Sequence, residues 1–443
     1  MNNQIDDFEK LLYEECYEKV DKHLLILQMK YVIKNSFFYK EKYKKFGLSN
    51  NQVVDISNFK NLPFTYKNEI IEEQNIFPPY GRLATHENSQ NLRRVHITSG
   101  STGKPLYIIL TENDLAATIE AGRRAFHCAG LTSHDTVIHC LNYCLWAGGI
   151  TDHLSLEATG ATIIPFGVGN SEKLIQTILE LQPTAISCTP SYLSRLEYLL
   201  TSKFNLSPVD LGLKKAIFGG EAGIQNPKIR SRIEETWKMK AIDANYGMAD
   251  VLSIFGSECN ERQGLHFHGQ GILYVELIDP LNKKNLPISD GIEGELVLTH
   301  LKREAQPLVR FRTRDFIKIV STKKCTCGRS SFRFLILGRT DNMITVKGIN
   351  VYPNAIANIL SERSEWFSGE FEIVLDTPPP VNQLFLRIEL YKKVGEENSN
   401  IIKSFFIQRC KRELSFTPRI ELIPFGKLPR TEGKSRRIRK RFK

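Results

Sequence analysis

Residues 96 to 110 read HITSGSTGKPLYIIL, with two glycines, two serines, two threonines and one lysine set between apolar neighbours. Ordering so flexible a run costs conformational entropy, and a bound anion is the natural compensation. The hydroxyls of Thr98, Ser99, Ser101 and Thr102, the backbone N–H groups of a turn at Gly100 and Gly103, and the Lys104 ammonium are all donors a phosphate accepts from. The glycine spacing is not that of a Walker-type loop. A polar hairpin turn is the competing reading. A second chemical signal lies in ECNERQGLHFH at 258–268 and CTC at 325–327. Cys259 and His266, brought beside Cys325 and Cys327, make a Cys3His set suited to tetrahedral Zn2+, with His268 as rival fourth ligand. Three reduced thiols and a surface histidine are the alternative.

The elements that must position these groups follow from periodicity. Residues 7 to 46 carry apolar side chains at helical spacing with no Gly or Pro until the end of the run. From residue 113 onward, helices alternate with short apolar strands such as DTVIHCLNY, ATIIPFG, TAISCTP, LKKAIFGG and KAIDANYG. TDHLSLEATG reads as a helix that stops at Gly160. Such alternation predicts an α/β fold with parallel sheets and flanking helices. After residue 250 the strands GILYVELIDP, GELVLTHL and DFIKIV follow one another directly, as in a small antiparallel, barrel-like subdomain. From about residue 342 a smaller α+β unit is expected. The spacing therefore predicts a large N-terminal domain and a small C-terminal one.

The chain has 443 residues, too many for one ordinary core, with 41% hydrophobic and 25% charged residues. No apolar run is long enough to span a bilayer. The start MNNQIDDFEK is acidic and polar, unlike a secretory signal, so a cytoplasmic, reduced protein is expected and membrane association is not. The nine scattered cysteines fit reduced thiols better than a disulfide framework. Net charge is +11, and the last ten residues, KSRRIRKRFK, hold seven basic side chains and no acid. A solvated terminus is the favoured reading of that tail, and nucleic acid is not an expected partner.

TSGSTGKP, FGGEAG at 218–223, NYGMAD at 245–250, FRTRDF at 311–316, LGRTDNMITVKG at 337–348 and LPRTEGK at 428–434 occur in one order. In that order they resemble the motifs of adenylate-forming enzymes. Further segments, LPFTYKNEI, CTPSYL, VRFRTRDF, CTCGR and KGINVYP, resemble the phenylacetate–CoA ligase branch of that superfamily. The resemblance covers nearly the whole chain and implies two half-reactions. A carboxylate attacks the α-phosphate of ATP to give an acyl-adenylate and pyrophosphate, and a thiol then displaces AMP.

The resemblance also implies the domain bounds 1–340 and 341–443, a C-terminal domain that is mobile, and residue roles. Residues Thr98, Ser99, Gly100, Ser101, Thr102, Gly103 and Lys104 would hold phosphates, and Gly220, Glu221 and Ala222 one wall of the adenine pocket. Asn245, Tyr246 and Gly247 belong to the nucleotide motif, with Tyr246 against the purine. Asp315 would take the ribose hydroxyls, Arg339 the ribose or phosphate, and Asp341 the hinge. Lys434 would deliver its ammonium to the reacting carboxylate and α-phosphate. Asp250 would serve Mg2+, one methylene shorter than the Glu usual there, and Ala249 stands where a hydroxyl is usual. Asn342 replaces an acid common after the hinge.

Tyr143, Trp146, Ala147, Gly148 and Gly149 would frame a flat apolar slot for an aromatic acid, with core filling as the alternative. Structural zinc occurs at such Cys/His positions in some members of the branch. The implied cofactors and partners are ATP, Mg2+, coenzyme A or a carrier-protein phosphopantetheine, a small carboxylic acid and Zn2+, with a homodimer left open. An amine acceptor and a non-catalytic nucleotide-binding homologue are the other readings.

Overall fold

The computed structural model describes residues 5–85, 91–98, 106–221, 223–347, 349–363, 365–392, 394, 398–429 and 437–442. The chain divides into two compact units. The first comprises Met1–Gly220, Ile233–Thr313 and Ile317–Leu335; the second comprises Glu221–Arg232, Arg314–Phe316 and Ile336–Lys443.

The first unit opens with helical segments over Asp7–Lys10, Tyr13–Cys16, Lys22–Asn35 and Phe37–Lys45. The single helical run expected over 7–46 is thus interrupted near Leu11, where the chain turns so that buried Glu9 can meet distant partners. Next come the strands β1 (Leu92–Ile97) and β2 (Tyr107–Thr111), an antiparallel pair flanking the glycine-rich segment. Twelve further strands follow: β3 (Thr136–His139), β4 (Thr162–Ile164), β5 (Ala185–Cys188), β6 (Lys215–Gly219), β7 (Lys240–Met248), β8 (Leu252–Glu258), β9 (Leu265–Phe267), β10 (Leu273–Ile278), β11 (Asn285–Leu286), β12 (Glu293–His300), β13 (Phe311–Ser321) and β14 (Arg333–Arg339).

These twelve strands form one sheet in the order β11-β10-β12-β13-β14-β9-β8-β7-β6-β5-β3-β4. From β4 to β7 every pairing is parallel, as strands joined by helices require. At β7 the sense changes, and β7–β8, β8–β9, β9–β14 and β10–β12 are antiparallel. The parallel and antiparallel parts expected from the sequence therefore share a single sheet through β7. Register shifts flank this strand on both sides, at Phe218/Gly219 against β6 and at Tyr246/Met248 against β8.

Helices α1 (Glu112–Cys128) and α2 (Ala147–Glu157) belong to this unit. They approach closely, since a Cβ on Gly122 would lie 2.3 Å from Ser155 Oγ. Beneath them Phe126, Val137, Leu156, Ile217 and Ile254 form a buried apolar cluster that fixes both helices to the sheet. Among the described residues, no helix is long and apolar enough to cross a membrane.

The second unit has a hairpin, β15 (Ile344–Val346) and β16 (Ile349–Val351), and a four-stranded mixed sheet. The sheet holds β17 (Phe367–Leu375), β18 (Phe385–Leu390), β19 (Arg419–Ile423) and β20 (Ile438–Lys440) in the order β19-β18-β17-β20. Helices α3 (Pro353–Ser361) and α4 (Ser399–Leu414) bury Ile356, Ile359, Ile402 and Phe406 against Ile373, Leu386 and Ile388. It is an α+β unit with its own core.

Candidate active site

The first turn of α2 positions the residues expected to meet the acid. The sequence reads the helix from Thr151, yet Ala147–Gly149 open it. Only glycine fits at 149, where a Cβ would lie 2.3 Å from Asn142 O and 2.6 Å from Tyr143 Cα. That close approach brings the 142–146 loop against the helix. The loop is held further by the bond from Ile97 N to Leu145 O, 2.8 Å. Tyr143 is half-buried and its hydroxyl lies 3.0 Å from His153 Nδ1 on the same helix. Burial pushes its phenol well up. His153 Nε2 in turn meets Glu157 at 3.1 Å. Behind Tyr143, buried His139 bridges Ser187 Oγ and Gly149 O, and burial pushes its pKa down to about 4, so it is neutral at pH 7. Trp146 is exposed, whereas Ala147 is buried.

Of the residues expected to hold the nucleotide, Thr98 follows β1 and donates its N–H to Leu106 O, 3.0 Å. Its Oγ1 is buried without a hydrogen-bond partner. Ser99, Gly100, Ser101, Thr102, Gly103, Lys104, Ala222 and Lys434 lie outside the described residues. Gly220 takes a left-handed φ of 78° at the end of β6. Asn245, Tyr246 and Gly247 end β7. The Tyr246 ring is 9% exposed and packs edge-on against Phe255 and Phe334, centroids 5.0 and 5.4 Å away. Gly247 is demanded by contact, because a Cβ would lie 2.0 Å from Ser253 O.

Asp250 sits in the following turn, 9% exposed. Its Oδ2 accepts from Lys67 Nζ at 3.0 Å, while its Oδ1 is buried without a hydrogen-bond partner. A buried, unsatisfied carboxylate oxygen is costly unless a cation or donor completes it, so this site fits a hard cation such as Mg2+.

Within the second unit Glu221 is half-buried and Asp315 is 7% exposed. Asp315 Oδ1 accepts from Arg339 Nη1 at 3.1 Å. The same guanidinium forks onto Asp341 through Nε (3.0 Å) and Nη2 (2.8 Å). Residues expected to serve ribose and hinge are thus joined by one arginine. Arg339 and Asp341 are largely exposed, and such pairs contribute about 0–1 kcal/mol, so a ligand can displace them.

Cys259, His266, Cys325 and Cys327 offer ligand atoms that all lie within 4.8 Å of one another. Cys259 follows β8, His266 lies on β9, and β14 pairs Arg333 with His266, drawing in the 325–328 turn before it. That turn is tight: Cys325 N donates to Arg329 O (2.8 Å) and Gly328 N to Cys325 O (2.9 Å). Cys327 Sγ is 3.6 Å from His266 Nε2, and Cys259 Sγ is 3.9 Å from Cys325 Sγ. His268 is not in the set. Its Nδ1 meets Glu9 (3.0 Å) and its Nε2 meets Ser257 (2.9 Å).

The family profile described as "AMP-binding enzyme" matches residues 28–300, and "AMP-binding enzyme C-terminal domain" matches 348–441. The chain belongs to the AMP-binding enzymes. This AMP-binding enzyme is 30% identical to a phenylacetate-coenzyme A ligase of Thermus thermophilus, over 92% of this chain and 93% of that protein. It is 26% identical to the phenylacetate-coenzyme A ligase of Escherichia coli, over 99% of this chain and 97% of that protein. A crystal structure of a 2-hydroxyisobutyryl-CoA ligase in complex with R3-HIB-AMP superposes with a TM-score of 0.86 at 27% identity, covering 98% of this chain and 91% of that one.

Three side chains of this AMP-binding enzyme escaped the reading of its sequence as site residues. Lys67 lies within LPFTYKNEI, but its partner Asp250 is 183 residues away. Cys128, an isolated helix cysteine, packs against Cys259 and Cys325. Asp152 reads as an ordinary helix position, yet it is 1% exposed.

Proposed function

We propose that this chain activates a small aromatic, phenylacetate-like carboxylic acid with ATP and passes the acyl group to coenzyme A. The observation that carries the reading is the likeness to phenylacetate-coenzyme A ligases over more than nine-tenths of the chain. An acid oxygen attacks the α-phosphorus, the α–β phosphoanhydride bond breaks, and pyrophosphate leaves. The thiol sulfur then attacks the acyl carbon, AMP departs with the bonding electrons, and the thiol proton passes to solvent.

The domains are assigned as 1–340, holding ATP and acid, and 341–443, carrying Lys434. Residues 98–104 cradle the phosphates, with Thr98 Oγ1 an unfilled donor at their start. Asp250 and ATP oxygens would hold Mg2+, which offsets triphosphate charge when bound. Lys434 provides a cation to the carboxylate and α-phosphate as charge develops. Tyr143 and the α2 glycines flank the acid. Cys259, His266, Cys325 and Cys327 would hold a structural Zn2+, since four protein donors leave no open position. A carrier-protein thiol and a homodimer are compatible with this scheme, and we place the enzyme in the cytoplasm. Ala249 favours a second reading, a nucleotide-binding homologue without turnover.

Carboxylate-dependent ATP–pyrophosphate exchange separates the two, because a non-catalytic homologue exchanges with no acid. Lys434→Ala is expected to lower exchange at least a thousandfold while sparing thioester formation from pre-made adenylate; equal loss of both steps would refute the assigned role. Metal analysis should find about one zinc per chain, and Cys327→Ser should lose most of it.

A further inference from the structure

Helix α2 carries a buried acid beside the acid-facing loop. Asp152 Oδ2 accepts from Asn245 Nδ2 at 2.6 Å, and its Oδ1 accepts from Ser253 Oγ at 2.6 Å. Both Asp152 oxygens accept, so the Asn245 amide presents its NH2 group to Asp152. The amide oxygen is thereby turned the other way and fixed. Asn245 is half-buried.

The direction matters. Successive residues of a strand point to opposite faces, and on β7 Tyr246 goes to Phe255 and Phe334 while Asn245 goes to α2. A Cβ added to Gly148 would sit 3.5 Å from Asp152 Oδ2, the same oxygen that holds Asn245. The amide therefore lies beside the first turn of α2, where Tyr143 and Gly149 meet. Gly219 on β6 makes room for it, since a Cβ there would lie 2.4 Å from Asn245 Cβ.

We propose that Asp152 is a positioning residue that holds the Asn245 amide oxygen toward the acid, and that the acid this chain activates carries a hydroxyl or amine donor remote from its carboxylate. The proposal rests on the ligase reading above and moves Asn245 from the nucleotide side to the acid side. A bare apolar acid would desolvate the fixed acceptor without replacing its hydrogen bond, and sites built for a donor reject the analogue lacking it.

The test is ATP–pyrophosphate exchange with matched acids: phenylacetate against its ring-hydroxylated and ring-aminated forms, and benzoate against hydroxybenzoates and aminobenzoates. The wild type is expected to prefer the best donor-bearing acid at least tenfold in kcat/KM over its parent. Asn245→Leu should bring that ratio within about threefold of unity, and Asp152→Asn should reduce it, since an amide at 152 lets Asn245 flip. KM for ATP should change less than twofold in both.

Preference of the wild type for the bare acids overturns the inference alone. So does a tenfold rise in KM for ATP with the acid ratio intact. Exchange with no acid at all overturns the ligase reading and the inference together. Should Asp152→Asn fail to fold, the wild-type ratio and Asn245→Leu decide.

Discussion

Two regions of the first unit each bury a carboxylate, and they treat it in opposite ways. Beside the cysteine cluster, Glu9 is 1% exposed, and its Oε1 receives Arg329 Nε at 2.7 Å and His268 Nδ1 at 3.0 Å. Burial alone would raise its pKa, but these partners outweigh it and hold the carboxyl down to about 2. Burial also pushes His268 down to about 4, so at neutral pH Arg329 is the cation that keeps Glu9 ionised. Beside the 142–146 loop, Asp152 has, among the described residues, the uncharged donors Asn245 and Ser253, and burial pushes it up to about 7. A compensated buried charge ties the N-terminal segment to the sheet. An under-compensated one leaves the buried carboxyl raised by desolvation.

The contrast can be broken at several strengths. The largest expected effect is Arg329→Met, which leaves Glu9 buried without its cation and should cost about 3–5 kcal/mol in urea unfolding. A loss under about 1 kcal/mol would show that Glu9 is not the anchored member of the pair.

Next comes the pH dependence, with opposite signs. The folded pKa of Glu9 lies below its ordinary 4.5, so its contribution is present above about 4.5 and is lost as pH falls toward 2. The folded pKa of Asp152 lies above its ordinary 3.8, so its contribution is full below about 3.8 and is lost as pH rises through 7. Asp152→Asn should therefore gain stability between pH 5 and pH 8 relative to wild type, on the order of a few kcal/mol. Urea midpoints at the two pH values measure it, and identical slopes would remove the distinction. Smallest is Tyr143→Phe, which deletes the bond to His153. The loss of about 1 kcal/mol should appear as a several-fold rise in KM for the acid and none for ATP.

Much of this was legible in one sequence because motif order and strand–helix alternation are local signals. The parallel half of the sheet and its antiparallel continuation follow from such patterns, whereas the Cys/His set joins segments far apart in the chain and spacing alone points to it weakly. What escaped depends on partners far along the chain. His266 and His268 share a strand face, so alternation could not choose between them; Glu9, 259 residues away, claims His268. Asp152 finds its donors 93 and 101 residues on, and no helical periodicity announces a buried acid. Helix α2 begins at Ala147, ahead of the Thr151 read from the sequence, and Gly149 is what permits helix and loop to touch.

Strand β7 has irregular register against both neighbours just where Asn245 and Tyr246 stand back to back. Inserting or deleting one residue there would exchange an amide for an aromatic ring across the sheet, turning the chemistry inside out. Diversification toward new acids in a chain built this way is confined to swapping side chains at constant length, and loop-length engineering near residue 245 should yield dead protein rather than altered selectivity.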